Sequence, residues 1–212
     1  MRLVLLVALV VVVPTAHATH PAHESVQPAN LDLDAAVEQV VAAHGASSDH
    51  SVWNASIRIR DRCKGRTRSY VVVDGYALLW QWNVVQADGR GPNELLAVIR
   101  SPLGDAGEAR VVRLRSRTRR CGVLHTLFRY VAGRARSPAP DLVLKDIYVL
   151  IEDGDERWPG RELVLWERFR HEWTTSVIRV TYHRYDRPRD RYVAYETSTI
   201  DASPPPAPSE RP

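Results

Sequence analysis

The stretch IRIRDRCKGRTRSYVVV, residues 57–73, decides the fold. Ile57 and Ile59 alternate with Arg58, Arg60 and Arg62, the period of two that belongs to a half-buried strand. Lys64-Gly65 supplies a two-residue turn, and the chain returns from Arg66 to Val73. In that register Ile59 faces Tyr70, Ile57 faces Val72 and Asp61 faces Arg68. Apolar side chains then meet on one face and opposite charges meet near the turn. The other face carries Arg58, Arg60 and Arg62, which reads as a solvated sheet face or as a contact for an anionic surface.

Downstream the period stays near two. Strands are predicted over residues 77–85, 94–99, 109–117, 142–152, 162–170, 176–183 and 191–199. Turn chemistry separates them at Asp88-Gly89, Pro102-Leu103-Gly104, Trp158-Pro159-Gly160 and Asp186-Arg187-Pro188. Two segments read as helical. Ala36, Val37, Val40 and Val41 form one apolar stripe between the caps Asp32 or Asp34 and Gly45, predicting a helix from Leu33 to Ala43. Val123, Leu124, Leu127, Phe128 and Val131 fall at helical spacing before Gly133 and predict a short inserted helix. The expected fold is α+β: a mainly antiparallel curved sheet or incomplete β-barrel, with an N-terminal helix and a short inserted helix.

The N-terminus predicts export. Arg2 precedes an apolar run from Leu3 to Val13, Pro14 ends it, and Ala16-His17-Ala18 places small residues before a cut ahead of Thr19. That run is too short for a membrane helix, which needs about 20 residues, and no second long run follows, so no membrane span is expected. Residues 1–18 are therefore taken as a signal peptide, 19–30 as a disordered leader, 31–201 as one β-rich domain and 202–212 as a Pro-rich disordered tail. The mature protein is expected to be periplasmic or secreted. Two cysteines in such a chain favour a disulfide between Cys63 and Cys121; two buried thiols that never meet are the alternative.

Lys and Arg total 29 against 25 Asp and Glu, a formal net charge of +4. This small excess suits an anionic surface or head group and falls far short of a nucleic-acid-binding tail. The Arg and Tyr interleaved from Tyr182 to Tyr192 read as a solvated hairpin, and no nucleic-acid partner is expected.

Tested for chemistry, the chain offers little. It lacks G-x-S-x-G, H-E-x-x-H, C-x-x-C, a P-loop and G-x-G-x-x-G. His171 and Glu172 are adjacent on a strand and point to opposite faces. Asp49-His50-Ser51 holds triad residue types in a local order that real triads do not use. The acidic loop Glu152 to Glu156 lacks the spacing of a Ca²⁺ loop, and His20 with His23 is only a weak copper lead near the mature N-terminus. No catalytic residue, metal site or cofactor is expected, and the protein is not read as an enzyme. Trp80 and Trp82, at i and i+2, would share one face of a strand, either in the core or in an aromatic-lined cavity.

The order of elements resembles that of the periplasmic lipoprotein-sorting carriers of the LolA and LolB type. The resemblance rests on the helix Leu33–Ala43 before the Ile-Arg-Ile-Arg-Asp-Arg hairpin, the strand Leu95–Arg100 ending in Ser101-Pro102, the segment Pro140 to Ile147, and the hairpin Tyr148 to Glu167 with Gly160-Arg161 at its turn. It implies an incomplete barrel with an apolar concave face, covered by helices, that shields lipoprotein acyl chains in transit. Each buried CH₂ is worth about 0.8 kcal/mol, so such chains need an escort through water. On this reading the segment Val123–Val131 is the lid, and Trp80, Trp82, Leu124, Leu127 and Phe128 line the cavity. Partners are lipid or lipoprotein acyl chains, with other envelope proteins as alternatives through Arg58, Arg60 and Arg62. Nothing in the sequence specifies an oligomeric state.

Overall fold

The computed structural model describes residues 23–32, 36–46, 53–87, 91–103, 106–117, 120–133, 137–139, 142–154, 161–170 and 176–202. Among them there are twelve strands and no helix. Sheet 1 is β1 (His23–Ala29), β2 (Glu38–Ala46), β3 (Trp53–Cys63) and β4 (Arg66–Tyr76). Sheet 2 is β5 (Leu78–Val85), β6 (Glu94–Arg100), β7 (Gly107–Arg117) and β8 (Arg120–Ala132). Sheet 3 is β9 (Val143–Asp153), β10 (Arg161–Arg170), β11 (Ser176–Asp186) and β12 (Arg191–Ala202). Every strand pairs antiparallel with its chain neighbour, so each sheet is a four-stranded meander and no sheet closes into a barrel.

Sheet 2 lies between the other two, and the run Glu94-Leu-Leu-Ala-Val-Ile-Arg100 shows why. Leu95 and Ala97 pack with Val40, Ala42, Ile57 and Ile59 of sheet 1. Leu96 and Val98 pack with Ile147, Val149, Leu163 and Leu165 of sheet 3. A strand covered on both faces is apolar throughout rather than alternating. At the closest approach of β7 to β9, a Cβ on Gly107 would stand 2.9 Å from Ile147 Cγ2, so glycine sets the spacing there. The Gln81 side chain of β5 donates to Val149 O of β9 at 2.9 Å, and Tyr70 of β4 donates to Gly122 O of β8 at 2.7 Å. The sheets thus stack face to face in chain order, fourth strand by fourth along one edge, as propeller blades do.

One polar feature repeats. Glu38 and Glu94 begin the second strands of sheets 1 and 2, and both are fully buried. Glu38 Oε2 accepts the Leu31 N–H at 2.6 Å, and Glu94 Oε2 accepts the Ala87 N–H at 2.8 Å. Each carboxylate reaches seven residues back to hold the connection leaving the first strand. Glu162 stands at the matching place in β10, also buried, and accepts from Tyr195 Oη at 2.7 Å.

The hairpin that opened the reading is β3–β4. Lys64 and Gly65 both have positive φ, 52° and 75°, the turn that matches strand twist. Ile59 faces Tyr70 and Asp61 faces Arg68 as expected, but Ile57 faces Val73, because a bulge at Val72 shifts the register by one. Cys63 and Cys121 are bonded, Cα atoms 5.5 Å apart, tying the end of β3 to the start of β8 and so sheet 1 to sheet 2.

Four expectations are corrected. The fold is all-β, not α+β, and neither an N-terminal helix nor an inserted helix exists among the described residues. The segment read as a helix from Leu33 to Ala43 contains β2: Val40, Val41 and Ala42 are buried in succession, which mimics a helical stripe. The segment Val123–Val131 lies in β8, where an extra residue, Leu127, opposes no partner on β7. That bulge breaks the alternation and leaves apolar positions at helical spacing. Part of the supposed leader, His23 to Ala29, is the edge strand β1, paired residue by residue with β2. Its Pro28 is tolerated because an edge strand leaves one row of N–H groups without strand partners. Residues 1–22, the turns at Asp88-Gly89 and Trp158-Pro159-Gly160, and the tail beyond Ala202 lie outside the described residues. No described helix is long and apolar enough to cross a membrane.

Candidate functional site

β8 and β12 are the fourth strands of their sheets, and a groove of about 440 Å³ runs between them. Its lining includes Phe128, Arg129 and Tyr130 of β8, His183 of β11, and Arg191 and Tyr192 of β12. Both fourth strands are bulged there. In β8 the extra residue is Leu127, which turns Leu127 and Phe128 together into the core shared with sheet 3. In β12 it is Tyr195, next to the point where His183 meets Ala194. A bulge leaves backbone groups outside the ladder and re-aims side chains, which suits the wall of a site.

Two polar networks fix the ends of the groove. At one end Asp190, held at φ 50° in the β11–β12 turn, receives Arg113 at 2.5 Å and His125 Nε2 at 3.0 Å. Arg115 and the Tyr185 hydroxyl also bind this carboxylate. The Arg- and Tyr-rich hairpin is therefore docked on sheet 2 through Asp190 and Tyr185, where sequence alone suggested a solvated loop. At the other end Tyr130 Oη donates to Glu167 Oε1 at 3.0 Å, and Arg179 Nε donates to Glu167 Oε2 at 2.6 Å. Glu167 is fully buried, and Arg179 also lies over the Phe169 ring.

His183 is the unusual group in the lining. It is 5% exposed, packs edge-on to Phe128 at 4.8 Å, and its Nδ1 has no hydrogen-bond partner among the described residues. Burial holds its pKa below the usual histidine range, against a smaller opposing pull from hydrogen bonds to the backbone of Leu163 and Thr181. His125 is also lowered, first by burial and then by Arg115 and Arg113. A depressed pKa means that the unfolded chain takes up a proton at a pH where the folded chain does not. Stability is thus fully present above about pH 6.5 and is lost as pH falls through the folded value. The urea midpoint should drop between pH 7.5 and pH 5, and His183→Gln should drop less over the same interval. A variant whose acid sensitivity equals that of the parent would remove His183 from this account.

The residues singled out from sequence are divided by the structure. Leu127 and Phe128 line the groove. Trp82 and Leu124 pack on the opposite face of sheet 2, against the core shared with sheet 1. Trp80 is the extra residue of a bulge in β5, so it does not share a face with Trp82. It is exposed instead, beneath Arg100 at 4.5 Å and beside Tyr148. Arg58, Arg60 and Arg62 lie far from the groove, on the face of sheet 1 turned away from sheet 2, and Arg58 pairs there with Asp74 at 3.1 Å. Sequence reasoning missed His183, Arg129, Arg191 and Tyr192. The Arg–Tyr alternation after Tyr182 was the available signal. No group of three or more metal-ligating side chains occurs among the described residues. His20, Asp49-His50-Ser51 and His171-Glu172 lie outside them. Comparison with family models, curated proteins and solved structures finds no match to this chain.

Proposed function

We propose that the chain is exported through residues 1–18 and acts in the periplasm or outside the cell as a non-catalytic binder of an anionic amphiphile, such as an acyl chain with an acidic head. The observation that carries this reading is the groove between β8 and β12: an aromatic floor of Phe128 and Tyr192, the exposed Arg191 at its rim, and the unpartnered Nδ1 of buried His183, while Arg129 is held by Glu108 at 2.6 Å. A volume of about 440 Å³ suits one small ligand or part of a longer one. Arginine binds carboxylate and phosphate through paired N–H donors, while the rings cover an apolar stem. The Cys63–Cys121 bond supports an oxidising compartment. The acyl-chain chemistry implied by the lipoprotein-carrier resemblance is kept in this proposal; its half-barrel and helical lid are not. A second reading rests on Arg60 and Arg62, both exposed, and has the outer face of sheet 1 bind an acidic envelope polymer or protein.

Native mass spectrometry of protein purified without detergent, followed by titration with dodecanoate, tests the first reading. A bound acyl-bearing acid is expected, and Arg191→Ser should weaken dodecanoate roughly tenfold, the loss of one charge-assisted contact. A clean apo mass that dodecanoate does not shift would sink it.

A further inference from the structure

The three sheets use equivalent positions in the same sense, and each end of the stack has one face on which no described sheet packs. Counted from the buried glutamate of each second strand, the second and fourth residues face the next sheet. In sheet 1 these are Val40 and Ala42, packed on sheet 2; in sheet 2 they are Leu96 and Val98, packed on sheet 3. The first and third residues face the preceding sheet: Leu95 and Ala97 face sheet 1, and Leu163 and Leu165 face sheet 2. In sheet 3 the forward positions are Val164, which is buried, and Trp166, which is half-buried; neither belongs to a core cluster. Their cross-strand neighbours are Leu150 and Tyr148 on β9, and Tyr182 and Val180 on β11. Leu150 is 44% exposed, Tyr148 42% and Ile200, further along this face, 51%. In sheet 1 the backward positions are Gln39 and Val41, paired with Arg60 and Arg58.

We propose that the occupant of both faces is a second copy of this chain: the outer face of sheet 3 in one copy packs on the outer face of sheet 1 in the other. Two such contacts close a two-copy ring of six sheets, within the range of closed propeller-like rings. The interface is heterologous, and it continues the contacts already made inside one chain.

Charge and position argue for this occupant over others. The sheet 1 face carries Arg58, Arg60 and Arg62 with the apolar row Val26, Val41 and Val71. The sheet 3 face carries Tyr148, Trp166 and Tyr182, rings suited to guanidinium stacking, and the exposed acids Glu152 and Glu196. Of its own cations Arg168 is engaged by Asp146 and Arg184 by the Tyr195 ring, while Arg170 stands exposed further along β10. Arg58 has an internal precedent. Arg110 sits opposite Ala97 as Arg58 sits opposite Val41, and Arg110 crosses from sheet 2 to donate to Val72 O of sheet 1. The contact of Phe128 with His183 between sheets 2 and 3 also has a counterpart. Phe128 pairs with Val111 as Glu196 pairs with Tyr182, and His183 pairs with Leu163 as Arg60 pairs with Gln39. Where Phe128 meets His183, Glu196 of one copy would meet Arg60 of the other.

Sedimentation velocity on the full chain decides it. The parent should run at twice the mass of one chain. Arg60→Glu and Glu196→Arg should each weaken the dimer at least tenfold, since like charges then face each other. Both positions are exposed, so circular dichroism should show each variant folded. The double variant Arg60→Glu/Glu196→Arg restores the opposite charges and should dimerise within a few-fold of the parent. A monomeric parent would overturn the proposal and assign these faces to segments of the chain outside the described residues. An open ladder of oligomers would overturn the closed ring, and a double variant no better than the singles would overturn the pairing of these two faces.

Discussion

Replacing both cysteines, Cys63→Ser with Cys121→Ser, should lower the free energy of unfolding by about 4 kcal/mol. The estimate follows from the 58-residue separation of the pair, which sets the loop entropy that the bond removes from the unfolded chain. For a domain of this size it corresponds to a fall in Tm on the order of 10–15 °C. The bond joins two sheets that otherwise meet through the cluster of Val40, Ile57, Ile59, Leu95 and Leu114 and through the Tyr70–Gly122 hydrogen bond. Its loss should therefore loosen sheet 1 from sheet 2 while leaving sheet 3 in place. Urea unfolding of the oxidised parent and the double variant measures the effect. A difference under about 1 kcal/mol would mean that native packing of sheets 1 and 2, rather than the cross-link, dominates that interface.

A loss of similar size is expected from Arg179→Met. Glu167 is fully buried and depends on Arg179 Nε at 2.6 Å and Tyr130 Oη at 3.0 Å for its two oxygens. Removing the guanidinium strands a buried carboxylate, a change that costs about 3–5 kcal/mol where such pairs are broken. Removing both charges should be far milder, because an apolar pair of similar volume needs no solvation. Arg179→Met with Glu167→Leu should recover most of the stability, leaving a remainder from the abandoned Tyr130 hydroxyl. Chemical denaturation of the two single variants and the double variant completes the cycle. If the double variant is as unstable as Arg179→Met, the pair acts through something other than charge burial. The network also anchors Tyr130 at one end of the groove, so Arg179→Met should weaken dodecanoate as well.

Strands with plain alternation were legible in the sequence. The β3–β4 hairpin, the strands from β5 to β7 and those from β9 to β12 were legible as alternating or short apolar runs bounded by turns, and the structure has them. The misread elements share a physical cause. In β2 Val40, Val41 and Ala42 are buried in succession, so they gave no alternation to read. β8 is bulged, and the added Leu127 turned a period of two into one nearer 3.6. β1 is short, polar and contains Pro28, as edge strands are apt to be, and nothing local separates that composition from a leader. The disulfide was legible from the cysteine count in a chain read as exported. The groove was only half legible. Leu127 and Phe128 stood out as apolar, but His183, Arg191 and Tyr192 are brought to them by stacking sheet 3 on sheet 2, a contact between distant parts of the chain. The bulge at Trp80 broke the predicted Trp80–Trp82 pair for the same reason that the one at Leu127 hid β8.

The buried glutamates at the starts of β2 and β6 have a consequence for how these strands find their place. A strand wetted on one side has its register chosen by the alternation of apolar and polar residues, because a slip of one residue turns the whole set over. β6 has no such alternation: Leu95, Leu96, Ala97 and Val98 are buried on both sides, and a slipped pairing would bury nearly as much apolar surface as the correct one. Glu94 removes that degeneracy. Only one alignment brings its carboxylate to the Ala87 N–H, and every other alignment leaves a charge in the core without a donor. The residue that looks least at home in the middle of the molecule is thus the one that indexes the strand, and Glu38 does the same for β2 through Leu31.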